Sequence, residues 1–372
     1  EFKVTNKVTG NVTCFRRDEA GLYVAQPNTP TAVHFLNTVA ENKKLFTKKQ
    51  VEGAERARKL YQVIGFPSIK DFIHVIQTNQ IKNCPVTVED IKISQQIFGP
   101  DIYALKGKTT RRQPRAVVND YVEIPRELIE AQQGIILHAD VMWIDEVPFL
   151  TTISQYLRFI TVQYIQNRKA ESLSAACMAA FVKYNNAGFY IRQFHADPEF
   201  ECIKPDLEKE QIDVNIVPAQ AHVPIIERAI RTIKERYRSM YHRAPYSMWP
   251  KLMIIHGAAN AAKWLNTFPP QGGISTTYSP RTIITGRQIE FKTHCTIPFG
   301  SYVQAVTENA PTNTPQERTI DAIFLRTLDN IQGGFEVLNL KTGHALTRHR
   351  VIELPITEDV IKRVEQLARN QG

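Results

Sequence analysis

Three carboxylates stand out by their settings. Asp140 lies inside Ile135-Ile136-Leu137-His138-Ala139-Asp140-Val141-Met142-Trp143-Ile144, a largely apolar run. An ionised carboxylate there is costly unless a cation or hydrogen-bond donors compensate it. Asp197 follows Tyr190 to Ala196, which reads as a strand, and strand tips are where α/β sheets place ligands. Glu227 stands near the start of a basic helix, with Arg228 beside it and Arg231, Lys234 and Arg238 on its own face. Gathered carboxylates with cations trailing from them suit phosphoryl transfer. Two hard cations about 3.5–4 Å apart activate the attacking oxygen and stabilise the leaving one. Mg²⁺ takes oxygen ligands and keeps part of its water, so a few carboxylates are enough. Each acid alone has a plainer reading: Asp140 as a hydrogen-bonded core residue, Asp197 as the start of an Ala-Asp-Pro turn, Glu227 as a solvated helix residue. Together, in strand, strand tip and helix, they point to a metal site that passes into a phosphate-binding track.

Neighbouring groups compete for attention. Asp145, the main rival to Asp140, and Glu146 are accounted for by a turn after the first strand. Glu199 reads as an exposed acid, with support of a metal ligand as the sharper alternative. His138 and His195 each stand two residues before a proposed ligand, on the same strand face. Trp143, Trp249 and Trp264 sit among apolar residues and read as core.

Around Asp140 the pattern gives strands at 135–144, 149–154 and 159–165, then an Ala-rich helix from Lys169 to Asn186 closed by Gly188. Strands follow at 190–196 and 213–217, then helices from Val223 to Tyr241 and Met248 to Phe268. That order predicts a mixed sheet covered by helices. Before it come short strands in the first 35 residues, a Lys- and Arg-rich helical stretch from Asn37 to Thr78, and a basic segment from Lys106 to Arg115. This last reads as an exposed linker in which Lys108, Arg111 and Arg112 could contact phosphates. Four strands between Gly300 and Ile352 predict a small all-β unit of barrel type, and a helix from Thr357 to Asn370 closes the chain.

The 372 residues suggest two or three domains, here 1–125, 130–272 and 290–356. The formal charge of +9 favours a polyanionic partner. No apolar run is long enough to span a membrane, and no secretory leader is visible. Five scattered cysteines with no C-x-x-C pair read as reduced and intracellular. A first residue of Glu rather than Met suggests a fragment or a product released from a polyprotein.

The segment from about 134 to 238 resembles the integrase catalytic domain of long-terminal-repeat retroelements, most closely the copia-type branch. Leu137-His138-Ala139-Asp140, Asp197-Pro198-Glu199-Phe200 and Glu227-Arg228 match its three acidic motifs. Ala57 to Tyr61 with Gly65 to Ser68 is similar to the region before that domain, and Phe299 to Tyr302 to the β region after it. The resemblance implies a ribonuclease-H-like core between a mostly helical N-terminal domain and a small β-barrel-like DNA-binding domain. It implies Asp140, Asp197 and Glu227 as catalytic ligands of two Mg²⁺ or Mn²⁺ ions. It implies trimming of element DNA ends and their joining to double-stranded target DNA, by a homo-oligomer acting in the nucleus. Departures are Val223 where the family carries Asn, a shortened Pro-Glu-Phe after the second Asp, and a close spacing of thirty positions from Asp197 to Glu227. The His-His-Cys-Cys zinc set is missing, so no structural zinc is expected. A repurposed DNA-binding protein with a decayed site and a ribonuclease-H-type nuclease are the alternatives.

Overall fold

The computed structural model describes residues 36–107, 121–216, 224–307, 314–329 and 333–371, and the backbone of strands at 2–5, 12–17 and 23–25. Lys108, Arg111, Arg112 and Val223 lie outside the described residues. The chain divides into two compact units, Glu1–Phe35 and Leu36–Gly372. In the first, β1 (Phe2–Thr5), β2 (Val12–Arg17) and β3 (Tyr23–Ala25) form an antiparallel meander with Phe2 opposite Phe15.

The second unit begins with helices. The stretch expected from Asn37 to Thr78 is three helices, α1 (Val39–Lys44), α2 (Lys48–Val63) and α3 (Ile69–Gln77). Thr47 and Ser68 break it, because each hydroxyl accepts a bond from the backbone N–H three residues on and so starts a new helix. After α4 (Val88–Phe98) and α5 (Ile102–Gly107), Lys106 is no linker residue: its Nζ binds Asp321 at 2.9 Å and Glu317 at 3.1 Å. Tyr61, Phe72 and Ile91 seal the contact between α2, α3 and α4. A short helix, α6 (Arg126–Glu130), leads into the central sheet.

That sheet contains β4 (Gly134–Ile144), β5 (Val147–Ser154), β6 (Ile160–Tyr164), β7 (Tyr190–Ala196) and β8 (Asp213–Ile216) in the order β6-β5-β4-β7-β8. The β6–β5–β4 pairs are antiparallel, and β4–β7–β8 parallel. Between β4 and β5 stand Asp145, with φ of 44°, and Glu146, with φ of 63°. Both are left-handed, as a two-residue hairpin turn requires. Asp145 is thus a turn residue, and its carboxylate accepts a bond from the Tyr237 hydroxyl at 3.1 Å.

Helices cover both faces of this mixed α/β layer. Leu137 and Ala139 of β4 pack with Cys177, Ala180 and Phe181 of α7 (Ala170–Asn186). Met142 and Ile144, on the opposite face, pack with Ile233 and Tyr237 of α9 (Pro224–Arg243). The helix α8 (Lys204–Lys209) precedes β8; α10 (Lys251–Leu265), α11 (Pro280–Thr285) and α12 (Phe291–His294) follow α9. Trp143 departs from expectation: it is 45% exposed, because alternation turns it away from α9 near the open end of the strand.

A second, antiparallel sheet has the order β12-β11-β10-β9-β13, built from β9 (Tyr302–Val306), β10 (Thr319–Thr327), β11 (Phe335–Asn339), β12 (Ala345–Arg348) and β13 (Val351–Glu353). Val303, Phe324 and Val337 fill one face. From the other, Ile323 and Leu338 join a core shared with Met142, with Met253 of α10 and with Val364 of α13 (Glu358–Arg369). A parallel bridge between Thr38 and Ile356 ties the start of α1 to the end of this sheet. Among the described residues no helix is long and apolar enough to cross a membrane.

Candidate active site

Sheet register brings the first two acids together. On the parallel pair β4–β7, His138 lies beside His195 and Ala139 beside Ala196, so the next step places Asp140 beside Asp197. Asp197 opens a short 3₁₀ helix, Pro198–Ile203, yet its side chain makes no capping bond there. The plainer reading of Asp197 as a mere turn starter therefore leaves its carboxylate unaccounted for. Ile226 and Ala229 of α9 pack on Ile153 of β5, which lays the first turn of α9 over this end of the sheet. Glu227 sits in that first turn, where the helix dipole favours negative charge.

Electrostatics links these groups. Asp140 is half-buried, and burial followed by the charge of Asp197 raises its carboxyl above the ordinary carboxylate value. The backbone N–H of Val141, which donates to Asp140 Oδ1 at 2.7 Å, opposes that rise, whereas Glu199 and Glu227 add to it. The Asp140 carboxylate thus lies within the field of three other acids.

Glu199 is the residue the sequence undervalues. It is half-buried rather than exposed, and Arg168 Nε stands 3.3 Å from its Oε1. The Arg168 guanidinium also lies 5.7 Å from the centre of the Trp143 ring. That cation–π contact fixes it near the site. The Pro198 turn is the signal that could have found Glu199, since it folds the residue two past Asp197 back toward the strand end. Nothing in the sequence marks Arg168.

Besides Glu199 Oε1, which is buried without a hydrogen bond, two polar groups on β4 and β5 lack a hydrogen-bond partner beside Asp140. One is the hydroxyl of Thr151, directly opposite Asp140 on β5; the other is the imidazole of His138. The Gln155 side chain approaches that ring without closing a well-aligned bond. His138 and His195 stack edge to face, 5.0 Å between ring centres. Burial and the neighbouring ring hold His138 below its usual value, and burial lowers His195, so both are neutral at pH 7.

Among the described residues, no three His, Cys, Asp or Glu side chains are gathered tightly enough to hold a metal ion. The donor chemistry nevertheless fits a hard divalent cation. All the acids offer oxygen, and Thr151 and His138 provide unpaired partners for the water such an ion retains.

Along α9, Arg228, Arg231 and Arg238 are exposed and Lys234 is partly so, and none of the four forms an ion pair among the described residues. Arg231, Lys234 and Arg238 follow Glu227 along one stripe of the helix. Arg228 stands about 100° from that stripe.

No protein-family model and no curated protein matches the chain. Among solved structures it is similar to the catalytic core domain of BIV integrase, at 16% identity over 40% of this chain and 92% of that one, with a TM-score of 0.31. It is also similar to the HTLV-2 integrase catalytic core domain in complex with magnesium, in a trimeric form, at 14% identity over 41% of this chain and 96% of that one, with a TM-score of 0.30.

Proposed function

We propose that the chain is a metal-dependent polynucleotidyl transferase of integrase type, with Asp140, Asp197 and Glu227 as its catalytic acids. The observation that carries this reading is the β4–β7 register, which sets Asp140 beside Asp197, where burial and the charge of Asp197 raise the Asp140 carboxyl. The strand order, with Asp140 on the central strand and Asp197 at the tip of its parallel neighbour, supports a ribonuclease-H-like core.

Asp140, Asp197 and Glu227 would hold two Mg²⁺ or Mn²⁺ ions. When bound, these ions supply an activated attacking oxygen and charge stabilisation of the leaving one. Glu199, whose charge adds to that on Asp140 and is partly offset by Arg168, would support cation retention. The stripe of Arg231, Lys234 and Arg238, with Arg228 beside it, would grip the phosphates of double-stranded DNA and position the scissile bond. Lys108, Arg111 and Arg112 would extend that grip. The reaction is hydrolytic trimming of a DNA end, followed by attack of the freed 3′-hydroxyl on a target phosphodiester. Pairing two ends calls for a homo-oligomer, and chromosomal DNA as target calls for action in the nucleus. The copia-type resemblance of the motifs makes a retroelement the natural source.

A DNA-binding protein with a lapsed site is the second reading, favoured by the absence of a tight cage among the described residues. One experiment separates the two. The full chain is incubated with linear duplex DNA and a supercoiled plasmid, with Mg²⁺, Mn²⁺ or EDTA. Metal-dependent nicking and joining that Asp140→Asn and Glu227→Gln each reduce at least about a hundredfold supports the transferase. Salt-sensitive binding with no cleavage in any metal, and no rise in melting temperature with either ion, supports the second reading.

A further inference from the structure

A concave cavity of about 490 Å³ lies between α9, α10, α12 and the second sheet. Its size is one common for small-ligand sites. The cavity is separate from the carboxylates. Arg236 on its wall is nine residues past Glu227 in α9. Nine helical steps carry it about 180° round the axis from that acid.

Four cationic side chains reach the wall. Arg236, Arg243, Lys263 and Arg326 all line it. Lys263 is matched by Asp329 at 3.2 Å, and Arg326 pairs with Glu336. Among the described residues neither Arg236 nor Arg243 forms a close ion pair, although the charge of Glu353 acts on Arg243. Arg236 only leans on the Phe268 ring at 5.8 Å. Arg243 gives one Nη2 bond to the Phe299 carbonyl at 3.1 Å, while its Nε is buried without an acceptor. Burial lowers Lys263 in spite of Asp329, and Arg281 and Arg326 lower it further, the mark of crowded positive charge.

Most of the remaining lining is apolar or aromatic, including Trp264, Met240 and Ile297, with His294, Ser239 and Thr327 among its polar members. A simple anion would leave that surface unused. Asn260 adds a side-chain amide whose N–H donates to Met240 Sδ at 3.3 Å. A thioether is a weak acceptor that a better one would displace. An aromatic side chain, an amide and two guanidinium groups, that of Arg236 without a carboxylate partner among the described residues, together match a nucleotide: base, base edge and phosphate.

We propose that this cavity binds one unpaired nucleotide of a DNA strand, with the base against Trp264 and Met240 and the phosphate on Arg236 and Arg243. The site is non-catalytic and holds a single-stranded segment away from the carboxylates. It does not depend on the transferase reading.

The test uses the full chain in EDTA, which keeps divalent ions out of the carboxylate site, and fluorescence anisotropy with labelled hexathymidylate. Wild type should bind it, and Arg236→Glu, a surface change, should weaken binding by about tenfold or more. Trp264→Leu should do the same, with its melting curve showing it folded, and an abasic hexamer of equal charge should bind about tenfold more weakly. Lys362→Glu, the same charge change at an exposed position of α13, should leave affinity within about twofold. Equal binding of the abasic strand, displacement by hexaglutamate as effective as by hexathymidylate, or equal loss with Lys362→Glu overturns the proposal in favour of a general anion surface.

Discussion

Asp140 carries an electrostatic conflict that can be read without any assay of activity. Burial and the charge of Asp197 make the folded chain hold the Asp140 proton to higher pH than an unfolded chain does. The stability tied to that proton is fully present below the ordinary carboxylate range and is lost as pH rises through the raised value. At neutral pH the ionised group therefore destabilises the fold. Asp140→Asn should melt a few degrees above wild type near pH 7, and the gap should close as pH drops below the carboxylate range. Calorimetry across pH checks this, and a gap that widens on acidification would contradict it. At this scale the sequence is informative where a charge interrupts an apolar run, as at Asp140, and where motif and strand end coincide, as at Asp197. It undervalues Glu199, because a 3₁₀ turn rather than a strand or helix period places that residue. It also makes Trp143 look like core, although at 45% exposure the ring serves as a platform for Arg168.

Among the elements, α9 has the clearest division of labour. Its buried side, Ile226, Ala229, Ile233 and Tyr237, fixes it to the sheet. Its basic stripe is set by the same period and is legible for that reason. Replacing Arg231, Lys234 and Arg238 together by Gln should weaken duplex binding at all sequences. It should also flatten the slope of log affinity against log salt by about 0.9 for each phosphate no longer neutralised. A salt titration measures the slope, and an unchanged slope would remove the stripe from the DNA path. The β4–β5 hairpin offers a test of local strain. Glu146 holds φ at 63°. That conformation costs a residue with a Cβ about 1–2 kcal/mol and glycine far less. Glu146→Gly should raise stability by up to about 1 kcal/mol in chemical denaturation, since greater chain entropy offsets part of the relief. The helical stretch from Asn37 to Thr78 is legible in type and not in its breaks. Thr47 and Ser68 interrupt it through side-chain capping, which an apolar period does not register.

At the scale of the molecule, one apolar core runs from Leu36 through Met142 and Met253 to Leu338 and Leu367. Residues from opposite ends of the second unit thus share a single packed interior. Periodicity reveals each apolar face but not its partner, so the separate divisions that the sequence suggests do not disclose this common core. Leu338→Ala removes a fully buried side chain from it and should cost about 2–5 kcal/mol. Because the core is shared, far-ultraviolet and near-ultraviolet signals should move to lower temperature together. Early, separate loss of the second sheet would show the parts to be independent. The Thr38–Ile356 bridge extends the same theme to the backbone. Its two halves stand 318 positions apart in sequence, so during synthesis Leu36 and the first helices must wait for partners not yet made. Folding of this unit therefore waits on α13. A nascent chain halted before α13 would lack Val360, Val364 and Leu367 from the shared core, and would meet chaperones and proteases with that core incomplete.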